Sequence, residues 1–379
     1  MLDPEQFFEC LQHHGVSFFT GVPDSLLKDF CACVTQKAPA HQHIISANEG
    51  GAVGLAVGYH LATGKIPLVY LQNSGVGNIV NPLMSLGDPE VYGIPMLLVI
   101  GWRGEPGVHD EPQHKKQGRV MLPMLDSMEI PYAIVSPEMA QAEATIKQAL
   151  HQAQSNQGPY ALIVRKDTFS AFQLQQPQTP AMELTREDAI GHILEELGDQ
   201  DIVVSTTGMP SREVFETRAH RNQGHQHDFL TVGGMGHASQ IALGIALQKP
   251  HRQVFCLDGD GATLMHLGAL AINGSLRPQN FHHIVLNNGA HDSVGGQPTV
   301  GFQVDFLQIA KAAGYHTTAR VQSAEGIKQE LTKLRQSPGP HLLEIRVKKG
   351  ARKNLGRPTL TPVENKHGFM KFLSKSLTR

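Results

Sequence analysis

Val254-Phe255-Cys256-Leu257-Asp258-Gly259-Asp260-Gly261-Ala262 decides how this chain is to be read. Four apolar residues in a row predict a strand buried on both faces, as in a parallel sheet covered by helices. The strand breaks at the glycines, and residues 262–272 read as the helix that follows. A second apolar run, 283–286, ends in Asn287-Asn288, with 25 residues between Gly261 and Asn287. One carboxylate and one amide thus stand at the C-terminal ends of two strands, beside a helix N-terminus. Such a corner suits an anion held by backbone N–H groups and a hard cation held by oxygens. The candidate ligands are all oxygens, which favours Mg²⁺ over Zn²⁺. Gly-Asp-Gly alone would be an ordinary turn; its pairing with Asn-Asn gives it weight.

Working outward, the same alternation fills the chain. Strands are expected at 16–20, 43–47, 67–71, 96–100, 132–135 and 161–164, with helices at 26–34 and 51–62. The polar stretch Phe172-Gln173-Leu174-Gln175-Gln176-Pro177-Gln178-Thr179-Pro180-Ala181 reads as a linker. Beyond it a helix at 186–197 opens a second series, with strands at 202–205, 229–232, 254–257, 283–286, 316–320 and 342–347. The two series also rhyme. Gly158-Pro159-Tyr160-Ala161-Leu162-Ile163-Val164-Arg165 closes the first, and Gly339-Pro340-His341-Leu342-Leu343-Glu344-Ile345-Arg346 closes the second. A duplicated α/β unit is the better reading of that match. The expected division is 1–170, a linker at 171–184, and 185–379.

Composition narrows the class. With 379 residues, 40% hydrophobic and 17% charged, two ordinary domains with real cores are expected. Lys+Arg is 32 against Asp+Glu 34, so no basic field marks the chain as a nucleic-acid or membrane-surface binder. No segment approaches the length of a membrane span, and the start of the chain has no signal-peptide pattern. The 4 cysteines lack disulfide or zinc spacing, and Cys256 lies in an apolar run as a core residue would. A reduced, cytoplasmic protein is expected. The 21 histidines include no pair at metal-ligand spacing such as HExxH. The basic residues Lys348, Lys349, Arg352, Lys353 and Arg357 read first as a solvated tail, then as a lid over an anionic site, and last as a nucleic-acid contact.

Gly259-Asp260-Gly261 followed at this distance by Asn287-Asn288 resembles the signature of the thiamine diphosphate superfamily. The resemblance implies that Asp260 and Asn288 are side-chain ligands of Mg²⁺, with the carbonyl of Ala290 as a third, and that the cation bridges to the cofactor's diphosphate. Gly259, Gly261 and Ala262 would line the diphosphate. It also implies two domains, one for the aminopyrimidine and one for the diphosphate, each a parallel sheet flanked by helices. The short linker leaves no room for the middle domain of longer members. Enzymes of this kind need a carboxyl on N1′ of the aminopyrimidine, and Ala47-Asn48-Glu49-Gly50-Gly51-Ala52 supplies it in Glu49. Read alone, Glu49 would be an acidic residue favoured at a helix N-terminus. Asn73-Ser74-Gly75-Val76-Gly77-Asn78 resembles the loop after the third strand, Val76 departing from a usual Pro, so Ser74 and Gly75 join the cofactor contacts. Gly233-Gly234-Met235-Gly236 resembles the segment whose apolar residue, here Met235, props the cofactor in its bent form, and Thr207-Gly208 follows a strand where it could touch the cofactor.

Within the superfamily, four segments resemble the phosphonopyruvate decarboxylases and extend the likeness over nearly the whole chain. They are Gly21-Val22-Pro23-Asp24-Ser25, the run from Trp102 to Lys115 containing Asp110-Glu111-Pro112-Gln113-His114, the run from Asn288 to Gln297, and the run from Gly350 to Pro358. Sulfopyruvate decarboxylases share the Asp-Glu-Pro-Gln-His element. The implied reaction is decarboxylation of 3-phosphonopyruvate to 2-phosphonoacetaldehyde in phosphonate biosynthesis. A sulfopyruvate decarboxylase is the alternative, and an acetolactate-synthase-like carboligase stands behind both. Asp24 and His114 are the candidate proton donors. Ser25, Arg103, His114 and Lys115 are candidates to hold the substrate's anionic group. The resemblance also implies a homo-oligomer in which the aminopyrimidine domain of one chain meets the diphosphate domain of another, so that Glu49 and Asp260, in opposite halves, would serve sites shared between chains.

Overall fold

The computed structural model describes residues 1–175 and 182–375. The chain divides into two compact units, Met1–Pro177 and Gln178–Arg379. Of the expected linker, residues 176–181 lie outside the described residues. The described part before it is packed on the first unit: Phe172 N donates to Asp29 Oδ1 at 3.1 Å and Gln175 N to Gln36 Oε1 at 3.0 Å.

The first unit holds β1 (Phe19–Gly21), β2 (His43–Ile45), β3 (Leu68–Gln72), β4 (Met96–Gly101), β5 (Tyr132–Ile134) and β6 (Pro159–Val164). They form one parallel sheet in the order β2-β1-β3-β4-β6-β5. Its central strands are apolar throughout because successive side chains enter opposite faces and helices cover both. Leu97 and Val99 join one buried cluster, while Met96, Leu98 and Ile100 join the other.

The second unit holds β7 (Ile202–Ser205), β8 (Asp228–Leu230), β9 (Val254–Gly259), β10 (Phe281–Asn287), the short antiparallel pair β11 (Ala290–His291) and β12 (Gln297–Pro298), then β13 (Thr317–Val321) and β14 (His341–Arg346). The main sheet is parallel, in the order β13-β14-β10-β9-β7-β8. Leaving out the β11–β12 pair and reading from the other edge, the order is second, first, third, fourth, sixth, fifth, as in the first unit. The rhyming segments are β6 and β14, the last strand of each unit, inserted at the same place in each sheet. A shared topology of this detail is what a duplicated unit produces. Cys256 is fully buried in the second core.

Four expectations need correction. The helix read over 262–272 is two: Asp260–Met265 and Ala269–Leu276, separated where His266 leaves helical geometry at φ −129° and ψ 52° and Gly268 follows. Asp260 is therefore the first residue of a helix rather than part of the loop before it. The loop read over 73–78 is a 3-10 turn, Asn73–Gly75, running into the helix Val76–Pro82. Val76 takes the first position of that helix, where a Pro would also be tolerated, so its departure from the family pattern changes little in conformation. The strand read over 16–20 begins only at Phe19, because Val16 N bonds back to Leu11 O and closes the preceding helix. The basic segment is not a solvated tail at its centre: Arg352 bonds Glu187 through Nε at 3.0 and 2.9 Å and pairs with Glu216, and Lys349 Nζ donates to the Gly296 carbonyl.

Candidate active site

In the second unit the site is built at the C-terminal ends of β7, β9 and β10. Asp260 follows β9 directly, with Gly259 as the helix cap and Gly261 and Ala262 buried behind it. Its side chain is 2% exposed. It accepts the Thr299 hydroxyl and backbone N–H groups of Asn288 and Gly261. Burial pushes its carboxyl up to about 6 from an ordinary 3.8. Among the described residues, the main groups acting on it are the Thr299 hydroxyl and backbone N–H groups, with no cation among them. A buried carboxylate without a counter-charge is costly. A bound hard cation removes that cost, so the residues present fit Mg²⁺.

Asn288 and Ala290 stand beside it, 5% and 8% exposed. Asn288 Oδ1 accepts the N–H of Ala290 at 3.0 Å, and its Nδ2 donates to Asp292 Oδ2 at 2.6 Å. Asn287 points the other way, donating to Gly301 O at 2.8 Å and Glu344 Oε1 at 2.9 Å. It supports the turn. Met235 is half-buried. A Cβ on Gly261 would meet His291 Cε1 at 3.0 Å and Met235 Cε at 3.5 Å, so both side chains lie against the Gly-Asp-Gly turn. Thr207 Oγ1 accepts the N–H of Gly233 at 2.8 Å, tying the turn after β7 to the Met235 segment. Gly208 has φ +93°, and a Cβ there would come within 2.6 Å of Ser293 Oγ. Burial pushes the His291 imidazole down to about 4, so it is neutral.

In the first unit Glu49 opens the helix Glu49–Thr63, capped by Asn48, whose Oδ1 accepts Gly51 N at 2.7 Å. Glu49 is 5% exposed, and Asn78 Nδ2 donates to its Oε2 at 2.8 Å. A Cβ on Gly75 would stand 2.6 Å from the Glu49 carboxyl carbon, so glycine is required for the carboxylate to lie where it does. Ser74 is exposed and bonds Gln72 Oε1 at 2.7 Å.

A second cluster in this unit gathers around Arg103. Asp110 takes its Nε at 2.8 Å and its Nη2 at 2.5 Å, and also accepts Gly104 N at 2.8 Å and Glu111 N at 2.7 Å. Arg103 Nη1 donates to Ser25 Oγ at 2.5 Å. A guanidinium has five N–H donors. Three are engaged by described residues, and two are not. The serine accepts from Arg103, so its own O–H is available to donate. Asp24, fully buried, accepts the Gln72 amide and Leu27 N. Burial, offset by those bonds and by the Arg103 charge, holds its carboxyl above the usual range. His114 is pushed down by burial and then by Arg103. The Gln113 amide nitrogen lies 3.1 Å from His114 Nε2, so Nε2 accepts and the ring proton sits on Nδ1, which is buried without a partner among the described residues. Lys115 stands apart: its side chain is exposed, and neighbouring helix positions point about 100° apart.

Sequence reasoning missed Asp110, Asp292, Thr299 and Asn78 as working residues. Asp110, Asn78 and Asp292 lay inside quoted motifs, but nothing in their spacing shows which side chain each would meet.

Residues 4–130 match the model of the N-terminal TPP binding domain of thiamine pyrophosphate enzymes, and residues 206–345 match that of the C-terminal TPP binding domain. A phosphonopyruvate decarboxylase of Streptomyces viridochromogenes is 35% identical over 375 residues, covering 95% of this chain and 92% of the relative. One of Streptomyces hygroscopicus is 34% identical over 393 residues, covering 99% and 95%. A sulfopyruvate decarboxylase of Methanosarcina acetivorans is 27% identical over 369 residues, covering 91% of each chain.

Proposed function

The chain belongs to the thiamine pyrophosphate enzyme family, and from that premise we propose that it decarboxylates 3-phosphonopyruvate to 2-phosphonoacetaldehyde and CO₂ with thiamine diphosphate and Mg²⁺. The observation that carries the substrate is Arg103, held by Asp110 with two N–H donors that no described residue engages and the Ser25 hydroxyl beside it. Planar donors of this kind suit a three-oxygen anion. The two Streptomyces relatives carry the same activity in their names.

When bound, thiamine diphosphate supplies the nucleophilic carbon and the electron sink for loss of CO₂. Asp260, Asn288 and the Ala290 carbonyl would hold the Mg²⁺ that takes its diphosphate, with Gly259, Gly261, Ala262, Thr207 and Gly208 around it. Met235 would support the ring system. Glu49 would be the carboxyl that exchanges a proton with N1′ of the aminopyrimidine, and Ser74 and Gly75 would complete its surroundings. Loss of CO₂ must be matched by one proton delivered to carbon. Asp24, whose burial favours its protonated form, is suited to donate it, and neutral His114 has an N–H to orient the substrate. Arg103 and Ser25 hold the phosphonate, with Lys115 in an outer position. The protein would work in the cytoplasm, in phosphonate biosynthesis. Among the described residues no helix is long and apolar enough to cross a membrane.

A sulfopyruvate decarboxylase is the second reading, favoured by Asp110. It cancels the Arg103 charge, so the cluster offers donors more than net charge, and a sulfonate accepts donors as well. The test measures kcat/KM for phosphonopyruvate, sulfopyruvate and pyruvate on one preparation. Phosphonopyruvate is expected first. Pyruvate would leave the Arg103 and Ser25 donors unpaired and should fall behind by up to about 10⁴-fold. Sulfopyruvate ahead by tenfold overturns the substrate and leaves the cofactor reading; pyruvate ahead removes the anion site.

Homo-oligomers with sites shared between chains belong to the same proposal. The helix Glu49–Thr63 supports it, exposing Gly54, Leu55, Gly58 and Leu61, with Leu61 71% exposed. Exposed leucines alternating with glycines along one helix form the kind of apolar surface that contact with another chain covers. Mixing inactive Glu49→Gln with inactive Asp260→Ala chains should restore activity after subunit exchange, since some sites then have both intact halves. No recovery, with exchange confirmed by mass spectrometry, would place each site within one chain.

A further inference from the structure

Asn288 is useful to a hard cation only through its oxygen. Its amide could present either oxygen or nitrogen, and something must decide which. In this structure that choice is made by Asp292, in the 3-10 turn Asp292–Val294. Its Oδ2 accepts Asn288 Nδ2 at 2.6 Å. A carboxylate cannot donate, so the amide nitrogen must face Asp292 and the oxygen must face the other way. The Ala290 N–H, 3.0 Å from Asn288 Oδ1, marks the same orientation.

Asp292 is itself fixed from two further directions. Arg186 Nη1 donates to its Oδ2 at 2.8 Å, and Gly350 N donates to the same oxygen at 2.9 Å. Arg186 is held in turn by Glu213, through Nε at 2.8 Å and Nη2 at 2.9 Å. The side chains of Arg186, Glu213 and Asp292 are 5%, 1% and 8% exposed, so the brace is shielded from water. Arg186 opens the helix Arg186–Glu195, Glu213 lies on the helix Met209–His220, and Gly350 belongs to the segment after β14. Two separate parts of the second unit, Arg186 and Gly350, therefore meet the carboxylate that also accepts from Asn288, and Glu213 holds Arg186 from a third. Asp292 Oδ2 already accepts from Asn288, Arg186 and Gly350, which suits Asp292 to orient a ligand rather than to become one.

We propose that Asp292 is the positioning residue of the metal centre, setting the Asn288 amide with its oxygen toward the cation through a brace anchored by Arg186 and Gly350. This rests on the reading of Asp260, Asn288 and Ala290 as Mg²⁺ ligands. Outer partners of metal ligands commonly contribute about 10–100-fold in metal affinity.

The test is Asp292→Asn, which keeps the size and lets the residue at 292 present either amide face to Asn288. Calorimetry of the full chain with saturating thiamine diphosphate reads Mg²⁺ affinity directly. A loss of about 10–100-fold is expected. Turnover at saturating Mg²⁺ should return to within about threefold of wild type, whereas a packing defect would depress it at every Mg²⁺ concentration. Asp292→Ser, small and uncharged, is expected to show the same shift and serves if the first variant does not fold. Unchanged Mg²⁺ affinity in a folded variant overturns this inference alone. No Mg²⁺ dependence in the wild type overturns the metal reading beneath it.

Discussion

Asp260→Ala is expected to abolish retention of thiamine diphosphate with Mg²⁺ while leaving the chain folded. Asp260 is 2% exposed, and among its described partners are a hydroxyl and backbone N–H groups but no basic side chain. Removing one member of a buried ionic contact typically costs about 3–5 kcal/mol. At about 1.4 kcal/mol per tenfold, the affinity loss should be about 10²–10⁴-fold. Stability should respond in the opposite sense when metal is absent. Burial raises this carboxyl to about 6, so the metal-free folded state holds its proton longer than the unfolded chain does. Its stability should then decline as pH rises from about 4 to about 6, and that decline should be missing in Asp260→Ala. The Thr299 hydroxyl loses an acceptor, which offsets part of the gain by about 1 kcal/mol. Calorimetry showing wild-type affinity for thiamine diphosphate and Mg²⁺ in this variant would end the assignment.

What was legible in the sequence was whatever depends on neighbours along the chain. The strands β4 and β7 could be read because burial on both faces leaves an apolar run, and β10 by its shorter run Ile284-Val285-Leu286. The end of each strand could be read because glycines and amides follow it. Where the reading slipped, a backbone group had a partner that composition does not show. Val16 is apolar and buried like a strand residue, yet its N–H closes a helix. His266 stops a helix that periodicity would carry through. Contacts across the fold were not legible at all. Arg352 meets Glu187 from 165 positions away, so a run of charge that reads as solvated is docked instead. The Asp292–Arg186 pair spans 106 positions. Arg103 and Asp110 are only seven apart, yet their fork depends on a loop conformation that spacing does not determine. The residues that touch cofactor in the proposed mechanism could be found by motif; those that hold them in place could not.

Glu49→Gln is expected to lower turnover by about 10²–10⁴-fold or more, the range over which a positioned acid–base group contributes, with cofactor binding largely kept. The geometry says why the two effects separate. Asn78 Nδ2 donates to Glu49 Oε2 at 2.8 Å, so that oxygen is already committed as an acceptor. The other oxygen lies over Gly75, where the absence of a side chain leaves room beside the carboxyl. In Glu49→Gln the amide oxygen can still accept from Asn78, which turns the NH₂ toward the Gly75 side. The cap by Asn48 and the start of the helix are untouched, since Gly51 N bonds Asn48 Oδ1 and not Glu49. The amide fills the same volume and can donate a hydrogen bond, so it should hold a ring nitrogen in place. It cannot give up a proton and take it back, which is the one thing the acid adds. A steady-state comparison of kcat, beside calorimetric affinity for thiamine diphosphate with Mg²⁺, separates the roles. Turnover within about threefold of wild type would assign proton exchange at N1′ to a group other than Glu49, and the buried glutamate would then be a helix-terminal residue held by Asn78.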